Sequence, residues 1–184
     1  MSFARPDRKV TPVRYVNVRL APGASVTQRH GMTPAVLSFD TPLGQFHLRE
    51  AGGAITGAGW RRMEGAAATP LLEEGARQVL AYFSREREEF DLPLRVDAGP
   101  LTQAVCDLLC AIPFGETRTY GDLAKELGQP AQAVGQACGL NPIPVIIPCH
   151  RVLAAKGLGG FSAPGGIETK VALLKLERAA GLLI

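Results

Sequence analysis

The stretch NPIPVIIPCHRV, residues 141–152, decides how the rest of this chain is read. Its apolar run carries Cys149 into an interior, with His150 adjacent and Arg151 following. A cysteine attacks as the thiolate, so it needs a base or a positive field beside it. His150 supplies the base, directly or through one water, and a carboxylate then orients the imidazole. Glu177 is preferred to Glu168 for that task; both fall within an expected final helix over residues 168–180. Arg151 reads as an ion-pairing or hydrogen-bonding residue rather than a catalyst. An isolated Cys-His pair is more often a packed core feature, so the surrounding residues must decide between the two readings.

Just upstream, Thr119-Tyr-Gly-Asp122 has the pattern of a capping box and opens a helix through Leu127. Gly128-Gln-Pro130 breaks it, and residues 131–139 form a second helix rich in Ala and Gly. Two short helices around a tight turn suggest a helix-turn-helix. Ala131, Ala133, Gly135 and Ala137 leave the second helix slim, which suits either close approach to a groove or tight packing on another helix. Before it, residues 102–110 read as a helix with Val105, Leu108 and Leu109 inward. Cys106 and Cys110, spaced i, i+4 there, are expected as small buried hydrophobes.

The first half has a different character. Residues 35–39, 45–50 and 54–60 read as three strands joined by turns at residues 40–44 and at Gly52-Gly53, a β-meander. Thr69-Pro70 supplies an N-cap and a first-turn proline for a helix. That helix is expected to place Leu72, Ala76, Val79, Leu80 and Phe83 on one face, with the charges of residues 85–89 beyond it. The unit closes near Asp91, and residues 93–100 read as a linker. Residues 13–20 alternate imperfectly and suggest one further strand, ended by Pro22 and Gly23.

The 184 residues are 46% hydrophobic and 20% charged, which excludes a wholly disordered chain. No apolar run approaches the roughly 18 residues a membrane helix needs. The basic N-terminus lacks the apolar stretch of a signal peptide, so a cytoplasmic protein with no membrane partner is expected. Cys106, Cys110, Cys138 and Cys149 form no CxxC pair, and a disulfide framework is not expected. With only His30, His47 and His150 besides, no metal site is expected, and no cofactor. A phosphate loop is absent too. Residues 1–34 carry six bases against one acid, residues 35–99 seven against ten, and residues 100–184 seven against six. Such a basic extension permits contact with nucleic acid without demanding it.

The segment at residues 141–152 closely resembles the active-site signature of the O6-alkylguanine-DNA alkyltransferases. So does IPFGETRTYGDLA, residues 112–124, at the family's customary distance upstream. The likeness continues through Gly159-Gly-Phe-Ser162, Gly165-Gly166, Lys170 and the tail at residues 173–177, and is dense over about residues 100–180. The meander resembles the family's N-terminal domain more loosely. This resemblance implies an α/β (α+β) protein: a basic extension at 1–34, a small ribonuclease-H-like β-meander domain at 35–97, and a helical catalytic domain with the helix-turn-helix at 98–184.

The same resemblance implies a single-use DNA repair protein. A monomer binds double-stranded DNA containing O6-alkylguanine through the minor groove, flips out the damaged base, and moves the alkyl group irreversibly to Cys149. By position Cys149 is the nucleophile, His150 the water-relayed base, Glu177 its orienter and Asn141 the brace of the active-site segment. Tyr120 stabilises the flipped guanine and donates toward N3. The Ser162 N–H donates to O6, and the carbonyls of Cys149 and Val152 recognise the amino group. Phe161 and Pro148 line the pocket, with Cys138 beside the flipped base. The expected DNA-facing set is Gln132, Ala131, Gly135, Arg118 and Thr119.

The sequence departs from the family pattern in specific places. Gln132 stands where an arginine usually enters the vacated base stack, and the turn at residues 128–130 is about two residues short. A lost contact of this type costs on the order of 1–3 kcal/mol, so weaker DNA affinity or slower flipping is expected unless the basic extension or Arg118 compensates. Cys138 replaces a residue that is often bulkier, and Leu140 one that is commonly polar or basic. The loop at residues 162–166 is insertion-like and bears on pocket width. No cysteine lies in the N-terminal half to rebuild the zinc site of some relatives. The altered helix keeps a second reading open, a non-enzymatic alkylated-DNA damage-recognition protein of the alkyltransferase-like kind. An unrelated cysteine hydrolase is a third.

Overall fold

The computed structural model describes residues 34–65, 67–179 and 181. The basic extension and the strand expected at residues 13–20 lie outside them, except for Pro34.

Three antiparallel strands come first: β1 (Ala35–Thr41), β2 (Gly44–Ala51) and β3 (Ala54–Gly59), in sheet order β1-β2-β3. The meander forms where alternation and glycine turns placed it, with β1 running on to Thr41 and only Pro42-Leu43 left as the first turn. A bulge between Arg49 and Glu50 shifts the β2–β3 register. Helix α1 (Pro70–Phe83) begins on Thr69, whose hydroxyl accepts from Leu72 N, with Pro70 in the first turn.

Two expectations need correction here. Leu80 is 42% exposed, while Tyr82 is fully buried in its place. The buried stripe of α1 centres on Val79, and Leu80 lies one residue, about 100°, round from that centre. Tyr82 falls nearer, about 60° to the other side, between the buried Gly75 and Gln78 on the wheel. At Gly75 a Cβ would stand 2.8 Å from Leu48 Cδ1, so the helix lies close against the sheet and a larger residue there would have to displace the Leu48 side chain. The second correction concerns residues 93–100. Ile55 N donates to Pro93 O at 2.8 Å and Arg95 N to Ile55 O at 3.0 Å. This segment pairs parallel with β3, and Leu92 and Leu94 are buried, so its start is sheet rather than linker. Farther along the same strand, Ala58 N donates to Pro142 O at 2.9 Å. The edge of β3 is thereby covered, and it is joined to the segment that leads to Cys149.

The second half follows as α2 (Pro100–Cys110), β4 (Arg118–Thr119), α3 (Tyr120–Leu127) and α4 (Ala131–Gly139). Along α2, Thr102, Val105, Cys106 and Leu109 are buried, while Leu108 and Cys110 are only partly so. The capping box is complete: Thr119 Oγ1 accepts from Asp122 N at 3.1 Å, and Asp122 Oδ2 accepts from Thr119 N at 2.8 Å. Gly128 ends α3 with φ +62°, a left-handed conformation that glycine adopts without steric cost.

A 3-10 turn over Cys149–Arg151 leads into β5 (Val152–Leu153), which pairs parallel with β4. The last helix, α5 (Ile167–Leu176), is shorter than the expected 168–180. Arg178 takes φ +55° and stops it, leaving Glu177 as the C-cap residue. Buried apolar side chains run as one cluster from Phe46 and Leu48 through Leu109 to Cys149 and Leu173.

Candidate active site

Cys149 opens the 3-10 turn and is held there by the segment before it. Asn141 Nδ2 donates to Ile147 O at 2.9 Å, and Asn141 Oδ1 accepts from Ile143 N at 3.0 Å. Between them, buried Val145 takes φ +74°, a region that β-branched residues avoid at a cost of about 1–3 kcal/mol. The asparagine clamp and the Ile147 N to Ile143 O bond at 2.8 Å maintain that conformation. Asn141 thus sits where a brace was expected.

Glu177 lies 2% exposed and gathers the groups around the turn. Its Oε1 accepts from Tyr82 Oη at 2.7 Å, His150 Nε2 at 2.8 Å and an Arg151 guanidinium nitrogen at 2.9 Å. Its Oε2 accepts from Arg151 Nε at 2.9 Å and Gly115 N at 3.3 Å. Burial opposes this charge, yet the hydrogen bonds from His150 and Arg151 and the charge of the Arg151 guanidinium hold the carboxyl down at about 2. Arg151 also donates to Ile112 O at 2.6 Å and lies 5.8 Å from the centre of the Phe114 ring. Its expected ion-pairing role is what the geometry displays.

A carboxylate only accepts, so His150 Nε2 carries the proton. Nδ1 is therefore the lone-pair nitrogen, and among the described residues it has no hydrogen-bond partner. Burial pushes the imidazole pKa below its ordinary value, against the pull of Glu177. A neutral ring with a free basic nitrogen is the state a proton acceptor needs. At Cys149 the hydrogen bond from the Cys138 thiol is the largest influence. With Asn141 and the Lys170 charge it outweighs burial and draws the pKa below the usual thiol range.

Two cavities meet at this sulfur. One, of about 400 Å³, is lined by Tyr120, Gly135, Cys138, Gly139, Cys149, Gly160, Phe161 and Ser162. The other, of about 280 Å³, shares Cys138, Gly139, Cys149, Phe161 and Ser162 and extends to Trp60, Arg61, Met63 and Pro144. Tyr120, Cys138, Phe161 and Ser162 are accordingly brought together with Cys149. Burial pushes the Tyr120 phenol up to about 12, so it remains a hydrogen-bond donor. Pro148 is buried behind the turn, and Pro144 takes the wall position expected of it. The Val152 carbonyl accepts from Lys170 Nζ at 2.6 Å.

The expected DNA-facing residues sit on α4 and on β4, just before α3. Ala131 and Gln132 are exposed at the start of α4, and Gly135 reaches the larger cavity. Arg118 is paired with Glu126 at 2.8 Å, and the Thr119 hydroxyl is engaged in the α3 cap. Among the described residues no three His, Cys, Asp or Glu side chains group so as to hold a metal ion. Nor is any helix there long and apolar enough to cross a membrane.

Sequence reasoning missed Tyr82 and gave Lys170 no task. Lys170 is fully buried, its ammonium donating to Val152 O and Leu158 O at 2.6 Å each and to Gly160 O at 3.3 Å. The signal was present in the spacing: Lys170, Leu173, Leu174 and Glu177 share one helical face.

Residues 100–179 match the family model described as 6-O-methylguanine DNA methyltransferase, DNA binding domain. A methylated-DNA–protein-cysteine methyltransferase of Mycobacterium leprae is 38% identical over 156 residues, 77% of this chain and 90% of that one. The chain belongs to the methylated-DNA–protein-cysteine methyltransferase family. Another methyltransferase of the family, from Methanosarcina acetivorans, is 46% identical over 110 residues, 58% of this chain and 69% of its own. The solved structure of Mycobacterium tuberculosis OGT in complex with DNA superposes with a TM-score of 0.71 at 38% identity, covering 80% of this chain and 97% of that one. An O6-methylguanine DNA methyltransferase from Methanococcus jannaschii gives 0.59 at 30% identity over 77% and 93% of the two chains. The mixed α/β fold expected from the sequence is thus that of the methyltransferase family.

Proposed function

We propose that this protein repairs DNA by direct reversal, moving the alkyl group of O6-alkylguanine irreversibly to Cys149. The observation that carries the reading is the sulfur at the junction of two cavities, backed by a buried His150–Glu177 pair at 2.8 Å. Within this reading residues 35–97 and 98–184 are the two domains, and the second holds the chemistry.

The protein acts as a monomer in the cytoplasm, with the slim face of α4 in the minor groove and Gln132 at the vacated base position. A stacked guanine cannot present O6 to an in-line nucleophile, so the base is first extruded. The larger cavity receives it, with Tyr120 donating toward N3 and the Ser162 N–H toward O6. His150 Nδ1 takes the Cys149 proton through one water, and Glu177 stabilises the imidazolium. The sulfur then forms a bond to the alkyl carbon as the carbon–O6 bond breaks. O6 keeps the electron pair, and the guanine regains a proton as it is restored. The product is a thioether with no good leaving group, so each molecule acts once. The damage-recognition alternative finds less support, because the relatives are named for transfer to a protein cysteine and Cys149 is in place.

Intact-protein mass spectrometry after mixing with an O6-methylguanine duplex tests this directly. One adduct of about 14 Da on Cys149, saturating at one per chain and absent in Cys149→Ser, is expected. Folded protein that binds the duplex without acquiring an adduct would sink the assignment.

A further inference from the structure

Two of the four cysteines stand together at the reacting centre. Cys138, near the end of α4, and Cys149 share the walls of both cavities, and both are free thiols. Cys138 is the largest single influence drawing the Cys149 thiol down, and its own thiol is pushed up in return. The chain between them is the Asn141-clamped segment, so this approach is held by the fold. Cys106 is the nearest competitor. It is fully buried, faces Asn141 Oδ1 at 4.0 Å, and lines neither cavity.

We propose that Cys138 is a resolving cysteine, which converts peroxide-oxidised Cys149 into a reducible Cys138–Cys149 disulfide. The proposal rests on Cys149 being the single-use nucleophile described above. A peroxide, little larger than water, enters cavities of about 280 and 400 Å³ and meets a sulfur biased toward thiolate. The thiolate displaces hydroxide from the peroxide O–O bond and becomes a sulfenic acid, oxidised by two electrons. The Cys138 sulfur attacks that sulfur, the S–S bond forms, and the hydroxyl leaves as water with the Cys138 proton. Two equivalents of a low-molecular-weight thiol reduce the disulfide and restore both thiols. Without a neighbouring thiol the sulfenic acid proceeds to sulfinic acid, which thiols do not reverse. For a nucleophile used once, that lesion removes the molecule from service before it meets DNA.

The test exposes the reduced full chain to hydrogen peroxide, blocks remaining thiols with iodoacetamide, and maps the peptides. A Cys138–Cys149 linked pair about 2 Da lighter than its reduced form is expected. Dithiothreitol then restores methyl transfer. In Cys138→Ser, the recoverable fraction, measured against that variant's own unoxidised transfer, falls about five-fold as Cys149 accumulates as sulfinic acid. Equal recovery in the two proteins, linkage through Cys106, or sulfinic Cys149 without a linked pair in the natural sequence overturns the proposal. An unoxidised control that transfers no methyl group identifies failure of the repair reading instead, since the thiol map is read independently of transfer.

Discussion

The Tyr82 hydroxyl donates at 2.7 Å to the same Glu177 oxygen that accepts from His150 at 2.8 Å, across 95 residues of sequence. A helix of the first half thus helps hold the carboxylate that accepts from the His150 ring. Tyr82→Phe removes one hydrogen bond to a buried charge and leaves the other Glu177 donors in place. The expected loss is about 2 kcal/mol of stability in urea unfolding. Transfer slows less than in Glu177→Gln, measured as the single-turnover rate with excess duplex. A Tyr82→Phe protein as stable as the parent would remove Tyr82 from the network.

Acid should weaken the fold in two stages. Burial lowers the folded-state pKa of His150 below its ordinary value of 6.5, so its neutral form stabilises the protein above that pH and the contribution fades as pH falls. Glu177 is held at about 2 against 4.5 unfolded. Its contribution, about 3 kcal/mol, is complete above the unfolded value and is lost as pH falls from 4.5 toward 2. In Glu177→Gln the second limb flattens, and the unpaired Arg151 costs about 3–5 kcal/mol at neutral pH. Urea midpoints measured from pH 7 to pH 2 separate the limbs. An unchanged acid limb in the variant contradicts the assignment to Glu177.

Lys170 ties α5 to the carbonyls of Val152, Leu158 and Gly160, with the Tyr120 ring 5.8 Å from its ammonium. Lys170→Met keeps the bulk and strips the buried Val152 carbonyl, and the less buried ones of Leu158 and Gly160, of their donor. A loss of about 3 kcal/mol is expected. Faster amide exchange at residues 153–160 than in the parent is the accompanying signature, and unchanged exchange there would show that the ammonium does not hold this loop.

Gln132→Arg introduces a charge at an exposed position of α4, the helix proposed to enter the groove. It should tighten duplex binding by about 1–3 kcal/mol and steepen the dependence of log affinity on log salt by about one phosphate contact. Fluorescence anisotropy at several salt concentrations reads both quantities. Equal affinity and slope in the two proteins would indicate that Gln132 stays clear of the DNA.

Local chemistry determined much by itself. Thr119 and Asp122 make a capping box wherever the next residues turn into a helix, and Gly128 ends that helix because it adopts positive φ freely. The glycine turns of the meander, Thr69-Pro70 at the head of α1, and Cys149 beside His150 are equally local. Glu177 was also legible, as the carboxylate of the right helix end. Other features depended on which surfaces meet. Leu80 and Tyr82 both border the apolar stripe of α1, and only packing against the sheet and the Glu177 network buries the tyrosine. Residues 93–95 carry no strong strand pattern, because their partner is the edge of β3 rather than an adjacent strand. The burial of Lys170 required three carbonyls from a distant loop to satisfy its charge. Capping and turn formation are decided within a few residues. Burial of a polar group is decided by partners that the chain brings together only when it folds.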